Sequence, residues 1–292
     1  MSLRRVFSTA GWSLLTFGFV SVLNTYRFVT VRHSLSLPGL KRPLRVAHLS
    51  DLHYGLFVGL GTIRRWVDAT LHAKPDLIVI TGDFLDSGFN VRSHPRLMAE
   101  LGRLRAPLGV YAVWGNHDWT SLNTNRTRIR FAELLRVHGV RLINNAGLQV
   151  RDDLYLAGVD DWWFGMQDLD KALEGHEDGA VMLLAHNPDY LPHVPERVGL
   201  TLSGHTHGGQ VRLPLLGPLK KRMTLSTIMQ GWVRGTEIIT SPAEGTPSVT
   251  PDGEALGFVS RGLGVTGVPV RLNCPAELVL LDLSPPGERT QE

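Results

Sequence analysis

Cysteine is nearly missing from this chain: its 292 residues hold one, Cys274. No internal disulfide can form, and the redox compartment is left open. Acidic residues are absent from the first 50 positions, where seven basic residues stand: Arg4, Arg5, Arg27, Arg32, Lys41, Arg42 and Arg45. The overall charge of +3 belongs to this arm, because the remainder carries 23 basic against 27 acidic residues, a net of −4. A body so charged lacks the basic face expected of a nucleic-acid-binding domain. The arm, by contrast, suits a surface of anionic lipid. No repeat of fixed period and no low-complexity tract is found.

What is present is ordinary in bulk, 43% hydrophobic and 20% charged, with room for one large domain or two small ones. Histidine, at 12, is the unusual count. From Val6 to Tyr26 run 21 residues without a charge. As a helix they would span about 30 Å, the hydrocarbon thickness of a bilayer. Basic, acid-free flanks favour a membrane anchor over a buried core helix. A cleaved export signal is the other alternative, but no small-x-small cleavage site follows the run. "RRVF" loosely resembles a twin-arginine signal, whereas the denser basic residues after the run favour a body on the cytoplasmic side. The expected organisation is an anchor or uncleaved signal over 1–26, a linker over 27–42, a folded domain over 43–284 and a loose tail over 285–292.

After Pro43, short apolar runs alternate with helical stretches. "LRVAHLS", "DLIVIT", "GVYAVW", "AVMLLAH" and "LTLSGH" read as buried strands. "TIRRWVDATLHA", "RLMAELGRL" and "RIRFAELLRVHG" read as helices, the last ended by Gly139. The close, "EALGFVSRGLG" and "PVRLNCPAELVLLDL", has no helix between its apolar runs and alternates like antiparallel strands. The class is α/β with a β-rich end.

Polar residues recur just after the apolar strands, where open α/β sheets place their ligand sites. The first strand ends in Asp51 and His53, the second in Asp83, the third in Asn116, His117 and Asp118. Two later strands end in His186 and in His205 with His207. Each alone is weak, since an aspartate after a strand is usually a cap and Asn-His-Asp usually a turn. Five strand ends that all deliver carboxylate, imidazole or amide are better explained together, by a metal site. In an extended "GHTH", His205 and His207 would face one side.

The order "DxH … GD … GNHD … H … GHTH" resembles the calcineurin-like metallophosphoesterase superfamily over Leu44 to Leu283. "GVDDWW", "GHTHGGQVRLP" and "SRGLGVTGVPVRLNCPAEL" are most similar to its bacterial membrane-associated branch of YkuE-like enzymes and UDP-2,3-diacylglucosamine pyrophosphohydrolases. The resemblance implies a four-layer α/β/β/α sandwich with two central mixed sheets, preceded by an N-terminal membrane helix. It implies two divalent ions (Mn, Fe or Zn), one on Asp51, His53 and His207, the other on Asn116, His186 and His205, with Asp83 bridging. His117 would be a general acid, and Asp118 would either orient it or cap a helix. Asp86 would stand behind the site or in a turn, and His48 would be structural. The ions bring +4, two aspartates −2 and a bridging hydroxide −1, which favours a phosphoryl substrate over a neutral amide.

The expected function is hydrolysis of a phosphodiester or pyrophosphate on a membrane lipid or nucleotide-lipid by that metal-bridging hydroxide. The expected location is the inner membrane, with a lean to its cytoplasmic face. A general phosphatase of small esters is the alternative, and a scaffold without catalysis the next. A dimetal β-lactamase-type hydrolase would need an HxHxDH run, which is absent. Trp162 and Trp163 would border the substrate mouth or pack, and Lys220, Lys221 and Arg222 would form a lipid-facing lip or a solvated loop.

Overall fold

The structure is a computed structural model that describes residues 21–87, 94–219, 228–234, 237–238 and 256–287. Strands β1 (Phe28–Ser36), β2 (Leu44–Leu49), β3 (Leu77–Thr81), β4 (Val110–Val113) and β5 (Val140–Leu142) build a first sheet. A second takes β6 (Ala146–Arg151), β7 (Leu154–Gly158), β8 (Ala180–Leu184) and β9 (Leu200–Ser203). A small hairpin of β10 (Arg212–Leu213) and β11 (Gly217–Pro218) stands apart. β12 (Gly231–Arg234), β13 (Glu237–Ile238) and β14 (Leu256–Val259) complete the second sheet, and β15 (Ala276–Ser284) returns to the first.

Both sheets are mixed. β2, β3, β4 and β5 run parallel, joined through helical crossovers, while β15 lies antiparallel to β2. In the second sheet β7, β8, β9 and β14 are parallel, and β6 and β12 are antiparallel to their neighbours. The β-rich close of the chain is thus divided between the sheets: β14 pairs parallel to β9 and β15 antiparallel to β2.

Alternate faces of the strands fill three apolar layers. Val46, Val79 and Val113 of the first sheet meet Leu156, Met182 and Leu202 of the second, packing the sheets face to face. Ala47, Ile78, Ile80 and Ala112 point the other way, a consequence of the two-residue side-chain period. They are covered by α1 (Leu60–His72), α2 (His94–Leu101) and, beyond α3 (Asn116–Ser121), α4 (Asn125–Val137), which contribute Trp66, Leu97 and Phe131. Over the outer face of the second sheet lie α5 (Leu169–Ala172) and a 3-10 turn at Pro188–His193, packed on Tyr155, Val181 and Leu183.

Two expectations for the N-terminal arm meet the fold differently. Residues 28–36, expected to be linker, form β1 and pair in parallel with all nine residues of β15. The cause is local: without β1, β15 would leave a row of unpaired backbone groups at the sheet edge, and Leu35 and Leu37 bury completely. Most of the expected anchor lies outside the described residues. Among the described residues no helix is long and apolar enough to cross a membrane.

His48 is structural. It is fully buried, its Nε2 lies 2.8 Å from Thr81 Oγ1, and burial pushes its pKa down to about 3 from an ordinary 6.5. The fold therefore holds it neutral, and its contribution is fully present above pH 6.5 and lost as pH falls from there toward 3. In urea titrations across that window the wild type should lose stability more steeply than His48→Gln. Parallel curves would show that His48 does not carry the effect.

Candidate metal centre

Every ligating residue expected from the sequence stands at the same end of the two sheets. Asp51 and His53 follow β2, Asp83 follows β3, Asn116 and His117 open α3 after β4, His186 follows β8, and His205 and His207 follow β9. The seven proposed ligands are all buried, at 0–7% exposure. They converge as two groups. In one, His53 Nε2 lies 3.0 Å from His207 Nε2, and His207 Nε2 lies 3.6 Å from Asp51 Oδ1. In the other, Asn116 Oδ1 is 3.0 Å from His186 Nε2 and 2.8 Å from His205 Nδ1. Asp83 joins them: its Oδ2 is 3.3 Å from His53 Nε2 and 3.4 Å from His186 Nε2.

The backbone is bent to achieve this. Asp51, His53, Asp83, His205 and His207 have φ of 54°, 44°, 54°, 71° and 52°. This left-handed region costs side-chain-bearing residues roughly 1–3 kcal/mol each and gathers at functional sites. It corrects the extended reading of "GHTH". Thr206 N–H donates to Gly204 O at 2.8 Å and Gly209 N–H to Thr206 O at 2.9 Å, so the chain turns here. The two imidazoles reach different groups because of that turn. Close approach demands glycine at two places. A Cβ on Gly115 would stand 2.2 Å from Asp83 Oδ1, and one on Gly204 1.8 Å from Ser50 Oγ.

Hydrogen bonds behind the ligands aim them. His186 Nδ1 donates to Thr81 O at 2.6 Å, which turns Nε2 toward Asp83 and Asn116. His205 N–H donates to Asp51 Oδ1 at 2.9 Å, and His117 N–H to Asp83 Oδ1 at 2.8 Å. His53 Nδ1 makes no hydrogen bond; the carboxylate of Asp86 is 3.8 Å away. Burial holds His53 neutral, at about 3, and pushes His207 well below its ordinary value. Burial also raises Asp51 to about 6. For Asp83, burial works upward but is outweighed by the imidazoles of His186, His53 and His117, which hold it well below the usual carboxylate range. Neutral imidazoles at His53 and His207 and the anionic carboxylate of Asp83 form a donor set that fits borderline divalent cations. Burial works downward on His186 but is outweighed by the Asp83 and Asp51 carboxylates, which push it up to about 10, so a bound cation would take the place of its Nε2 proton. Three overlapping ligand groups, Asp51–His53–His207, His53–Asp83–His117 and Asp51–Asp83–His186, each bring their donor atoms within 4.8 Å of one another.

His117 stands at the edge of the cluster, its side chain 19% exposed and its ring edge-on to His53 at 4.6 Å. Its Nδ1 accepts from Ser87 N–H at 3.3 Å and lies 2.6 Å from Ser87 Oγ, with Asp86 Oδ1 farther off at 3.9 Å. Asp118 does not orient it. Both its oxygens are taken as caps, by Leu85 N–H at 3.1 Å and Gly115 N–H at 3.0 Å, which corrects its catalytic assignment. The reason is helical geometry: as the third residue of α3, Asp118 turns back toward the Gly115 cap while His117 projects outward. Asp118→Ala is accordingly expected to lower unfolding free energy by about 1–3 kcal/mol with kcat little changed. A kcat loss as large as that of a His117 variant, at full metal content, would restore the orienting role.

Three further features surround the centre. Trp163 borders it, its ring edge-on to His205 at 4.4 Å, whereas Trp162 packs on His193 and Tyr190. Arg271, absent from the sequence reading, is completely buried behind His207, its guanidinium donating to the carbonyls of Arg261, Gly262, Gly264 and Cys274. Lys220, Lys221 and Arg222 lie outside the described residues.

An α/β protein whose paired sheets deliver buried His, Asp and Asn donors from five strand ends to one place carries a candidate metal centre. The family described as calcineurin-like phosphoesterase matches residues 44–209, and the chain belongs to that family. It is a metal-dependent phosphoric ester hydrolase. Curated relatives span nearly all of it. It is 28% identical to the uncharacterized metallophosphoesterase YkuE of Bacillus subtilis (strain 168) over 91% of this chain and 89% of that one. It is 29% identical to the phosphodiesterase YaeI of Escherichia coli (strain K12) over 91% and 92%. Among solved structures, a dimetal phosphatase from Danio rerio aligns over 77% of this chain and 89% of its own, at 12% identity and a TM-score of 0.41.

Proposed function

We propose that this centre holds two divalent ions and hydrolyses a phosphodiester or pyrophosphate bond in a membrane lipid or nucleotide-lipid of the UDP-diacylglucosamine type. Asp51, His53 and His207 would hold one ion and Asn116, His186 and His205 the other, with Asp83 placed between the two groups to serve both. The observation that carries this is the Asp83 carboxylate, with one oxygen 3.3 Å from an imidazole of the first group and 3.4 Å from one of the second. Mixed nitrogen and oxygen donors suit Mn, Fe or Zn. When bound, the ions lower the pKa of water and polarise the phosphoryl oxygens.

The chain's own groups do the rest. The His117 main-chain N–H fixes the Asp83 carboxylate through Oδ1, leaving Oδ2 turned to both groups. Thr81 O keeps the His186 proton on Nδ1 and its lone pair inward. His117 donates a proton to the leaving oxygen. Its Nδ1 accepts from the Ser87 main-chain N–H at 3.3 Å and lies 2.6 Å from Ser87 Oγ, which fixes the ring with Nε2 free for the transfer. Trp163 supplies an apolar wall next to His205. The lipid part of the reading draws on the uncharged run Val6–Tyr26 and on this wall.

The test is a comparison of kcat/KM for the metal-loaded full chain in detergent micelles. A lipid-linked pyrophosphate, a lipid phosphodiester and a soluble monoester are the substrates. The expected result is a preference of at least about tenfold for a lipid substrate, the equivalent of one well-buried apolar contact. Efficient turnover of the monoester with the lipids ignored would refute the lipid reading and leave the dimetal chemistry standing.

A further inference from the structure

The surface beside the metal centre is apolar where a mouth open to water would be polar. Leu215, Leu216 and Leu219, in and just after the β10–β11 hairpin, are 106%, 70% and 61% exposed. The hairpin is tied to the wall of the centre. Arg212 Nη1 donates to Gly208 O at 2.9 Å, Arg212 N–H to Leu272 O at 2.9 Å, and Asn273 Nδ2 to Arg212 O at 3.0 Å. The same wall carries Val268, 52% exposed. Neither 211–219 nor 262–273 contains an Asp or Glu. Across the two imidazoles, next to Trp163, Phe164 is 50% exposed. Several large apolar side chains left exposed on segments that border one site mark an interaction face rather than a solvated one.

The occupant is indicated by where the chain enters. Arg271 N–H donates to Ser21 O at 3.2 Å, so the first described residues lie on this wall, behind His207. Twenty residues precede Ser21, and Val6–Val20 of them carry no charge. The register of β1 agrees: Phe28 pairs with Ala276 and Val279 with His48, so β1 begins at the end of the sheet that bears Asp51. An uncharged run leaving the body here would hold the hairpin and the mouth on one side, toward whatever that run enters.

We propose that this face docks on a lipid bilayer, with the hairpin leucines in the headgroup boundary and the mouth of the metal centre at the lipid–water interface. This deepens the reading of a bilayer-borne substrate and rests on it. Apolar side chains on segments free of acidic residues, as in 211–219 and 262–273, partition into that boundary, and a substrate phosphate lies at the same depth.

The test uses the full chain reconstituted in vesicles of phosphatidylethanolamine with a minority of phosphatidylglycerol. Leu216→Cys is labelled with an environment-sensitive fluorophore, the native Cys274 being buried. Asp178→Cys, before β8 at the opposite end of the sheets and 87% exposed in its side chain, is the control. Docking predicts a blue shift and quenching by brominated acyl chains at position 216 but not at 178. A second variant, Leu215→Asp with Leu216→Asp, should lower turnover of a bilayer-embedded diester at least about tenfold relative to a soluble diester. Equal, water-like emission at both positions would overturn the proposal. So would a blue shift at 216 that appears in detergent without lipid and depends on protein concentration, which would assign the face to a second copy of the chain. Absence of bound metal, or of turnover of any lipid substrate by the unlabelled wild type in detergent, would instead strike the proposed function, so the two failures are distinguishable.

Discussion

Asp83→Asn is expected to abolish turnover and to reduce the metal content of a still-folded chain. Its Oδ2 lies 3.3 Å from His53 Nε2 in one group and 3.4 Å from His186 Nε2 in the other, and asparagine keeps an acceptor for the His117 N–H while removing the charge. Two cations facing each other need that shared anion, since Asp51 is the other buried carboxylate among the seven ligands. Removing a single oxyanion-stabilising donor typically costs about 10²–10³ in kcat. Loss of the shared carboxylate should exceed that, because both ions are weakened together. Element analysis and kcat on one preparation check it. A variant that kept both ions and more than about a tenth of the rate would remove Asp83 from the bridging position.

His117→Ala should behave differently: full metal content, native stability and a rate lowered by about 10²–10⁴. His117 is not one of the seven ligands, although a ring nitrogen comes within 4.8 Å of the donor atoms of His53 and Asp83; it is partly exposed and held through Nδ1 by Ser87. If it protonates the leaving oxygen, the loss must depend on the leaving group. An alkyl ester, which needs the proton, should show the full effect, and a nitrophenyl ester, which leaves as a stable anion, little of it. Equal losses on both esters would indicate that His117 positions substrate and does not transfer a proton.

Much of this is legible in the sequence because the chemistry lies at strand ends. Apolar runs such as "DLIVIT" announce buried parallel strands, and the residues following them had to be Asp83 and its counterparts in the other motifs. The two-sheet arrangement followed from the resemblance alone. What the sequence reading missed has physical causes. Strand periodicity was applied to "GHTH", but left-handed φ at His205 and His207 breaks that periodicity. β1 looked like linker because an edge strand has one half-exposed face and little apolar signal, its order being set by β15. Adjacency in sequence suggested Asp118 as the partner of His117, whereas the partners came from the loop after β3, 30 residues back. Arg271 carried no local signal at all: a fully buried arginine is rare, and only the fold shows the carbonyls that satisfy it.

The most direct measurement is the metal content of the purified full chain, determined by element analysis alongside its turnover. The account predicts two divalent ions per chain at full activity, with chelation removing ions and activity in step. A chain fully active with one ion or none would contradict it.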